Sequence, residues 1–148
     1  STVFSQSEGS ATDPGHTLIS YCFRSIKGYS RIGKYVGMGS DDGTFVYTGF
    51  KPAWVMIKRT NAVGAWEIYD TKRAKISGSN QMERTDLQAD STGAENASTI
   101  GNGIDILSNG FKPTTGTLYL NGSGSTYIYL AFAERPFVSS NGVPTVAR

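Results

Sequence analysis

The run "AWVMIKR" (Ala53–Arg59) has Pro52 before it and the turn text "NAVG" after it. Its residues alternate at period two, which is the signature of a β-strand and not of a helix face. Short runs of the same kind recur as "GKYVGMG", "TFVYTGF", "AWEIYD", "GIDILSNGFK" and "STYIYLAFAE", each closed by Gly, Asn or Asp. "TVFS" (Thr2–Ser5) and "DLQAD" read as further short strands. No stretch holds a 3.6-residue apolar period for three turns, so the chain is predicted to be all-β. Roughly eight to ten short strands in one small chain imply two antiparallel sheets stacked as a sandwich or jelly roll. The polar stretch Lys72–Asp86 reads as a long excursion, which suits a sandwich edge better than an open barrel.

Alternation also assigns faces. Trp54, Met56 and Lys58 share one side, and Val55, Ile57 and Arg59 the other. Trp66, Ile68 and Asp70 lie opposite Glu67 and Tyr69, and Tyr127 and Tyr129 lie opposite Ile128 and Leu130. Asp42-Gly43, between two aromatic and β-branched runs, predicts a hairpin. Asn109-Gly110 predicts a tight turn. Asn121-Gly122-Ser123-Gly124 predicts a connection between two strands, one on either side.

Charge and composition remove several function classes. The net charge is +2, which makes no electrostatic case for nucleic acid or an anionic membrane. Lys72, Arg73 and Lys75 form the densest basic stretch and read as a solvated turn. No apolar run approaches the ~20 residues that span a bilayer, and no signal peptide is visible. Cys22 is the sole cysteine, which excludes an intrachain disulfide; inside "LISYCF" it is expected to be a buried, inert thiol. The chain starts at Ser1 in mid-pattern, as a fragment or a processed product would.

One stretch of sequence occurs twice. Thr17, Ile19 and Phe23 recur as Thr126, Ile128 and Phe132, each 109 positions later (126 − 17 = 109). The text upstream echoes as well, with Phe4 in "TVFS" answering Phe111 in "NGFK". A period near 110 is the size of a whole sandwich domain and far too long for a solenoid turn. Residues 1–23 therefore read as the closing strands of a preceding repeat, 24–137 as the sandwich domain, and 138–148 as an extended tail.

These residues carry a resemblance. "GYSRIGKYVGMGSDDGTFVYTGFKPAWVMIKRT", "WEIYDTKR", "LSNGFK" and "NGSGSTYIYLAFAERPF" are similar to a repeated domain in tail and other virion structural proteins of marine bacteriophages. The resemblance spans almost the whole chain. It implies a concanavalin-A-like or laminin-G-like jelly-roll sandwich that occurs in tandem. It also implies localisation to the virion after synthesis in the bacterial cytoplasm. The partners it implies are other virion proteins or copies of the same chain, with trimers as in phage fibres.

No catalytic set stands out. His16 is the single histidine, it precedes a strand, and no G-x-S-x-G elbow accompanies it. Glycoside hydrolysis needs two carboxylates acting together, but Glu67 and Asp70 are three apart on one strand and so face opposite ways. A hard cation such as Ca²⁺ has one candidate pair, Asp41 and Asp42, in text that reads first as a turn. Asn96-Ala97-Ser98 and Asn121-Gly122-Ser123 match the glycosylation sequon, which a protein made in bacteria leaves unmodified. For a sugar ligand the aromatic candidates are Trp66, Tyr69, Tyr127 and Tyr129, with Trp54 and Tyr119 in reserve. The expectation is a non-enzymatic virion module for assembly and host-surface attachment, with a carbohydrate-binding module for a host glycan as the alternative.

Overall fold

The computed structural model describes residue 17 and residues 19–73, 81–82, 84–98 and 103–136. Within these the strands are β1 (Ser30–Val36), β2 (Val46–Tyr47), β3 (Pro52–Arg59), β4 (Trp66–Asp70) and β5 (Gln81–Met82). They continue as β6 (Arg84–Gln88), β7 (Asn96–Ser98), β8 (Ile104–Leu107), β9 (Gly110–Pro113) and β10 (Thr126–Ala133). They form a six-stranded sheet ordered β1-β10-β3-β4-β6-β7 and a four-stranded sheet ordered β2-β9-β8-β5. Every pairing is antiparallel, and the two sheets stack as a sandwich. The expected strand at Thr2–Ser5 and the tail 138–148 lie outside the described residues.

The alternation read from the sequence decides which side chains enter the sandwich. Val55 and Ile57 on β3, Tyr69 on β4, and Tyr127, Tyr129 and Ala131 on β10 all point inward and are buried. Val46, Ile104, Ile106 and Phe111 meet them from the smaller sheet. Burying an aliphatic or aromatic side chain of this size contributes about 1.5–3 kcal/mol. Rings join the layers: Phe111 lies 5.3 Å from Tyr129 and 6.1 Å from Tyr35, and Tyr35 stacks on Tyr127 at 5.0 Å. Gly33 faces Tyr129 across β1·β10, and a Cβ there would sit 2.8 Å from the Tyr129 hydroxyl. The glycine leaves room for the ring.

Pro52 opens β3 as expected, where a missing ladder N–H costs little. Ser108-Asn109 closes the β8·β9 hairpin, with Leu107 paired to Gly110.

Two local expectations are corrected. Asp42-Gly43 does not close a hairpin, because β1 and β2 belong to different sheets. The segment is a crossing between layers, held where the Gly43 N–H donates to the Pro113 carbonyl at 3.1 Å. A Cβ on Gly43 would collide with that same carbonyl. Likewise, Thr117–Leu120 is a turn and not a strand, since the Leu120 and Asn121 N–H groups both donate back to the Thr117 carbonyl. Three bonds to tyrosine hydroxyls hold the turn. Tyr35 donates to the Leu120 carbonyl at 2.6 Å; Tyr127 donates to the Leu118 carbonyl at 2.7 Å and accepts from the Gly122 N–H at 2.9 Å.

The start of the described chain also departs from expectation. Residues 17 and 19–23 form no strand, and Cys22 is exposed, not buried. An apolar neighbourhood in sequence buries a thiol only when a sheet receives the segment, and no described strand of this chain pairs with it.

Candidate functional site

The outer face of the larger sheet carries the most unusual surface. Successive registers line up Ile32, Leu130, Met56, Ile68 and Leu87 in one row across five strands. An antiparallel sheet with one face in water normally alternates apolar-in and polar-out. Here both faces are apolar. Ile32, Leu87 and Ile128 keep about two-fifths of their surface exposed. Ile32, Met56, Trp66, Ile128 and Leu130 border a shallow hollow of about 150 Å³.

The neighbouring rows mix apolar and charged groups. On one side Lys34, Ile128, Lys58 and Trp66 follow one another, with the Lys58 ammonium 5.8 Å from the Trp66 ring centre. On the other side run Ser30, Phe132, Trp54 and Asp70. Phe132 there is the hub of an aromatic corner, 5.6 Å from Trp54, 5.9 Å from Tyr29 and 6.0 Å from Phe23. The face thus combines an apolar central row with charged groups in the rows beside it.

Two carboxyl groups, Asp70 at this rim and Asp105 on the smaller sheet, shift in opposite directions. Burial acts to raise the Asp70 carboxyl. The Arg73 backbone N–H and guanidinium, together with the Lys72 N–H, outweigh it and hold the group below its ordinary value. Its contribution to stability is complete above the unfolded-state pKa and is lost as pH falls through the folded one. On the smaller sheet Asp105 behaves in reverse, because burial raises it more than Lys112 lowers it. The folded state therefore holds that proton more tightly, and stability rises as pH falls through the folded pKa. Asp105→Asn is expected to stabilise the protein at pH 7, by no more than about 1 kcal/mol because the group is only half-buried and Lys112 offsets part of the cost. The gain should shrink toward pH 4, as read by urea titration at the two pH values.

The sequence-derived candidates separate cleanly. Trp66 is on the outer face and half-buried. Tyr69, Tyr127 and Tyr129 are core residues with at most 5% exposure, so their rings offer no face to a ligand. The physical reason is that their hydroxyls or rings find partners inside the sandwich. Tyr119 is exposed and Trp54 is half-buried.

Asp41 and Asp42 do not converge: Asp41 accepts from the Gly116 N–H at 3.0 Å, and Asp42 pairs with Lys112. Among the described residues no three His, Cys, Asp or Glu side chains cluster as a metal site would require. Asn121 is fully buried with both amide atoms bonded within the protein. His16 and Lys75 lie outside the described residues.

Glu67 and Asp70 face opposite ways, as their spacing requires. Sequence reasoning missed Asp86, which shares Glu67's inward face because β6 pairs Gln88 with Glu67. Both carboxylates are at most 2% exposed, out of reach of a polymer substrate. The outer apolar row was missed as well. Its signal was present in the alternating positions of β3, β4 and β10, but the pairing of those strands was needed to see one surface.

A family model described as a domain of unknown function (DUF7483) matches residues 1–136. No curated protein and no solved structure matches the chain.

Proposed function

The chain belongs to the DUF7483 family, and for it we propose the role of a non-enzymatic structural module of a bacteriophage virion, docked on neighbouring proteins through the outer face of its larger sheet. The observation that carries this reading is the apolar row Ile32–Leu130–Met56–Ile68–Leu87 on the outer face, whose ends Ile32 and Leu87 stay exposed. Surfaces of that kind mark interaction sites. The virion setting comes from the sequence resemblance to phage tail proteins. The nesting of β1·β10 around β2·β9 supports placing the sandwich with the jelly rolls of the concanavalin-A-like group. Residues 1–23 are, in the same reading, the closing strands of a neighbouring unit.

Ile32 and Ile128 are adjacent in this surface yet contribute little to the core, so a charge there spares the fold. Ile32→Lys/Ile128→Lys is expected to weaken association at least about tenfold, equivalent to roughly 1.4 kcal/mol. Sedimentation velocity over a concentration series, with circular dichroism as the folding control, reads that effect. Immunogold labelling of purified phage particles tests the setting, and label found only on host debris would sink it. Saturable binding to a host polysaccharide that Trp66→Ala abolishes would turn the reading to a carbohydrate-binding module resting on that one ring.

A further inference from the structure

We infer that Thr17–Phe23 is a donor strand, which completes a second sandwich of this same fold by occupying the position that Thr126–Phe132 holds here between β1 and β3. The inference rests on the assembly reading above and names the partner: another copy of the fold whose own tenth strand is absent.

β10 is the strand whose place is taken. It is paired on both sides, with Ile128, Leu130 and Phe132 directed outward and Tyr127, Tyr129 and Ala131 inward. Thr17, Ile19, Tyr21 and Phe23 repeat the outward pattern at the same spacing, three of the four with the identical residue. At the inward positions Cys22 falls where Ala131 is fully buried and is likewise small, while Leu18 and Ser20 stand where the sandwich has Tyr127 and Tyr129.

In its own chain the segment has none of this. Residues 17 and 19–23 lie outside any strand, and Ile19 and Tyr21 are 78% and 79% exposed. An apolar, alternating and unpaired stretch is a template for pairing with another sheet.

Among the described residues, the two places beside β1 that could receive it are taken. The β10 position is filled. The free edge of β1 is already bonded by other groups. Ile26 exchanges two backbone bonds of 2.9 Å with Ser30. The Ser25 hydroxyl accepts from the Ile32 N–H at 3.0 Å and donates to its carbonyl at 3.4 Å. Thr44 donates its hydroxyl to the Val36 carbonyl at 2.8 Å. Ser25 thus stands in for a strand and turns the chain off the edge onto the outer face. There the Ser30 hydroxyl fixes the Arg24 carbonyl at 2.8 Å.

Phe23 comes to rest on Phe132, its own counterpart in the repeat. The stretch from Phe23 to Ser30 spans at most about 25 Å when extended, and the turn at Gly28 shortens it. The partner sandwich must therefore abut the Phe132–Trp54 corner, as a stiff joint and not a loose tether.

Cys22, the sole thiol, reports the outcome. Residues 24–125 placed directly ahead of residues 17–148 put Thr17–Phe23 immediately after Ser125 of the added copy. A second form carries Leu18→Tyr/Ser20→Tyr, so that the inward positions match Tyr127 and Tyr129 of the acceptor. In at least one form Cys22 is expected to react with Ellman's reagent at least about 100-fold more slowly than in the 148-residue chain. Equal rates in both forms and in the single chain would overturn the donor-strand assignment. The readout does not depend on the outer-face lysines. A protected Cys22 with unchanged association in Ile32→Lys/Ile128→Lys would keep the strand and discard the docking face, and the opposite pair of results would do the reverse.

Discussion

Phe111→Ala is expected to lower stability by about 4 kcal/mol and the melting temperature by roughly 10 °C or more. Phe111 is fully buried in the middle of the smaller sheet, paired with Val46 on β2 and Ile106 on β8. Its ring is also the contact through which that sheet meets Tyr35 and Tyr129 of the larger one. Removing it forfeits the transfer free energy of the ring and opens a cavity that its neighbours cannot fill. The tyrosines are tethered at their far ends: the Tyr35 hydroxyl bonds the Leu120 carbonyl, so the ring cannot swing inward without breaking a buried bond. Phe111→Leu keeps most of the volume and should cost less than half as much. Val63→Ala, at 99% exposure, serves as the control with no measurable change. Thermal and urea melts followed by circular dichroism decide the matter. A shift under about 3 °C for Phe111→Ala would mean that the two sheets do not depend on this contact.

Much of the sandwich was legible because strand alternation is a local property. Val55 and Ile57 against Trp54 and Met56, or Tyr127 and Tyr129 against Ile128 and Leu130, could be split by counting in twos. What counting cannot supply is the side that faces the core when both sides are apolar. Tyrosine misleads here in particular. It reads as a surface ring with a polar tip, yet Tyr35 and Tyr127 spend their hydroxyls on carbonyls of the 117–120 turn, and Tyr35 reaches 85 residues along the chain to do so. No local pattern carries that partner. The same holds for Asp42-Gly43. Its turn chemistry was real, but a turn signal does not say whether the next strand rejoins the same sheet or crosses to the other. Cys22 failed for the converse reason: its text is that of a buried strand, and no described strand of this chain pairs with it.

The crossing between the sheets gives the second large effect. Asn121 is fully buried and its side-chain amide holds the loop that leads from β1 to β2. Its oxygen accepts from the Met38 N–H at 3.0 Å, and its nitrogen donates to the Ser40 carbonyl at 2.6 Å. The Asn121 backbone carbonyl takes the Gly39 N–H at 2.7 Å as well. Asn121→Ala removes both side-chain bonds and leaves a donor and an acceptor of the loop without partners. Met38 and Ser40 are exposed, so water replaces part of what is lost; at about 0.5–1.5 kcal/mol net per bond, a loss of about 2 kcal/mol is expected. Asn121→Asp separates the two bonds. A carboxylate still accepts from Met38 but faces the Ser40 carbonyl with no proton to give. Burial raises the folded pKa of the new acid above its unfolded value, so the variant should regain stability as pH falls through that folded pKa. The protonated acid can then donate to Ser40 as the amide did. Urea titrations of both variants between pH 7 and pH 4 read the difference. Asn121→Asp should recover relative to the parent while Asn121→Ala does not, and parallel curves would mean that the Ser40 bond does not hold the crossing in place.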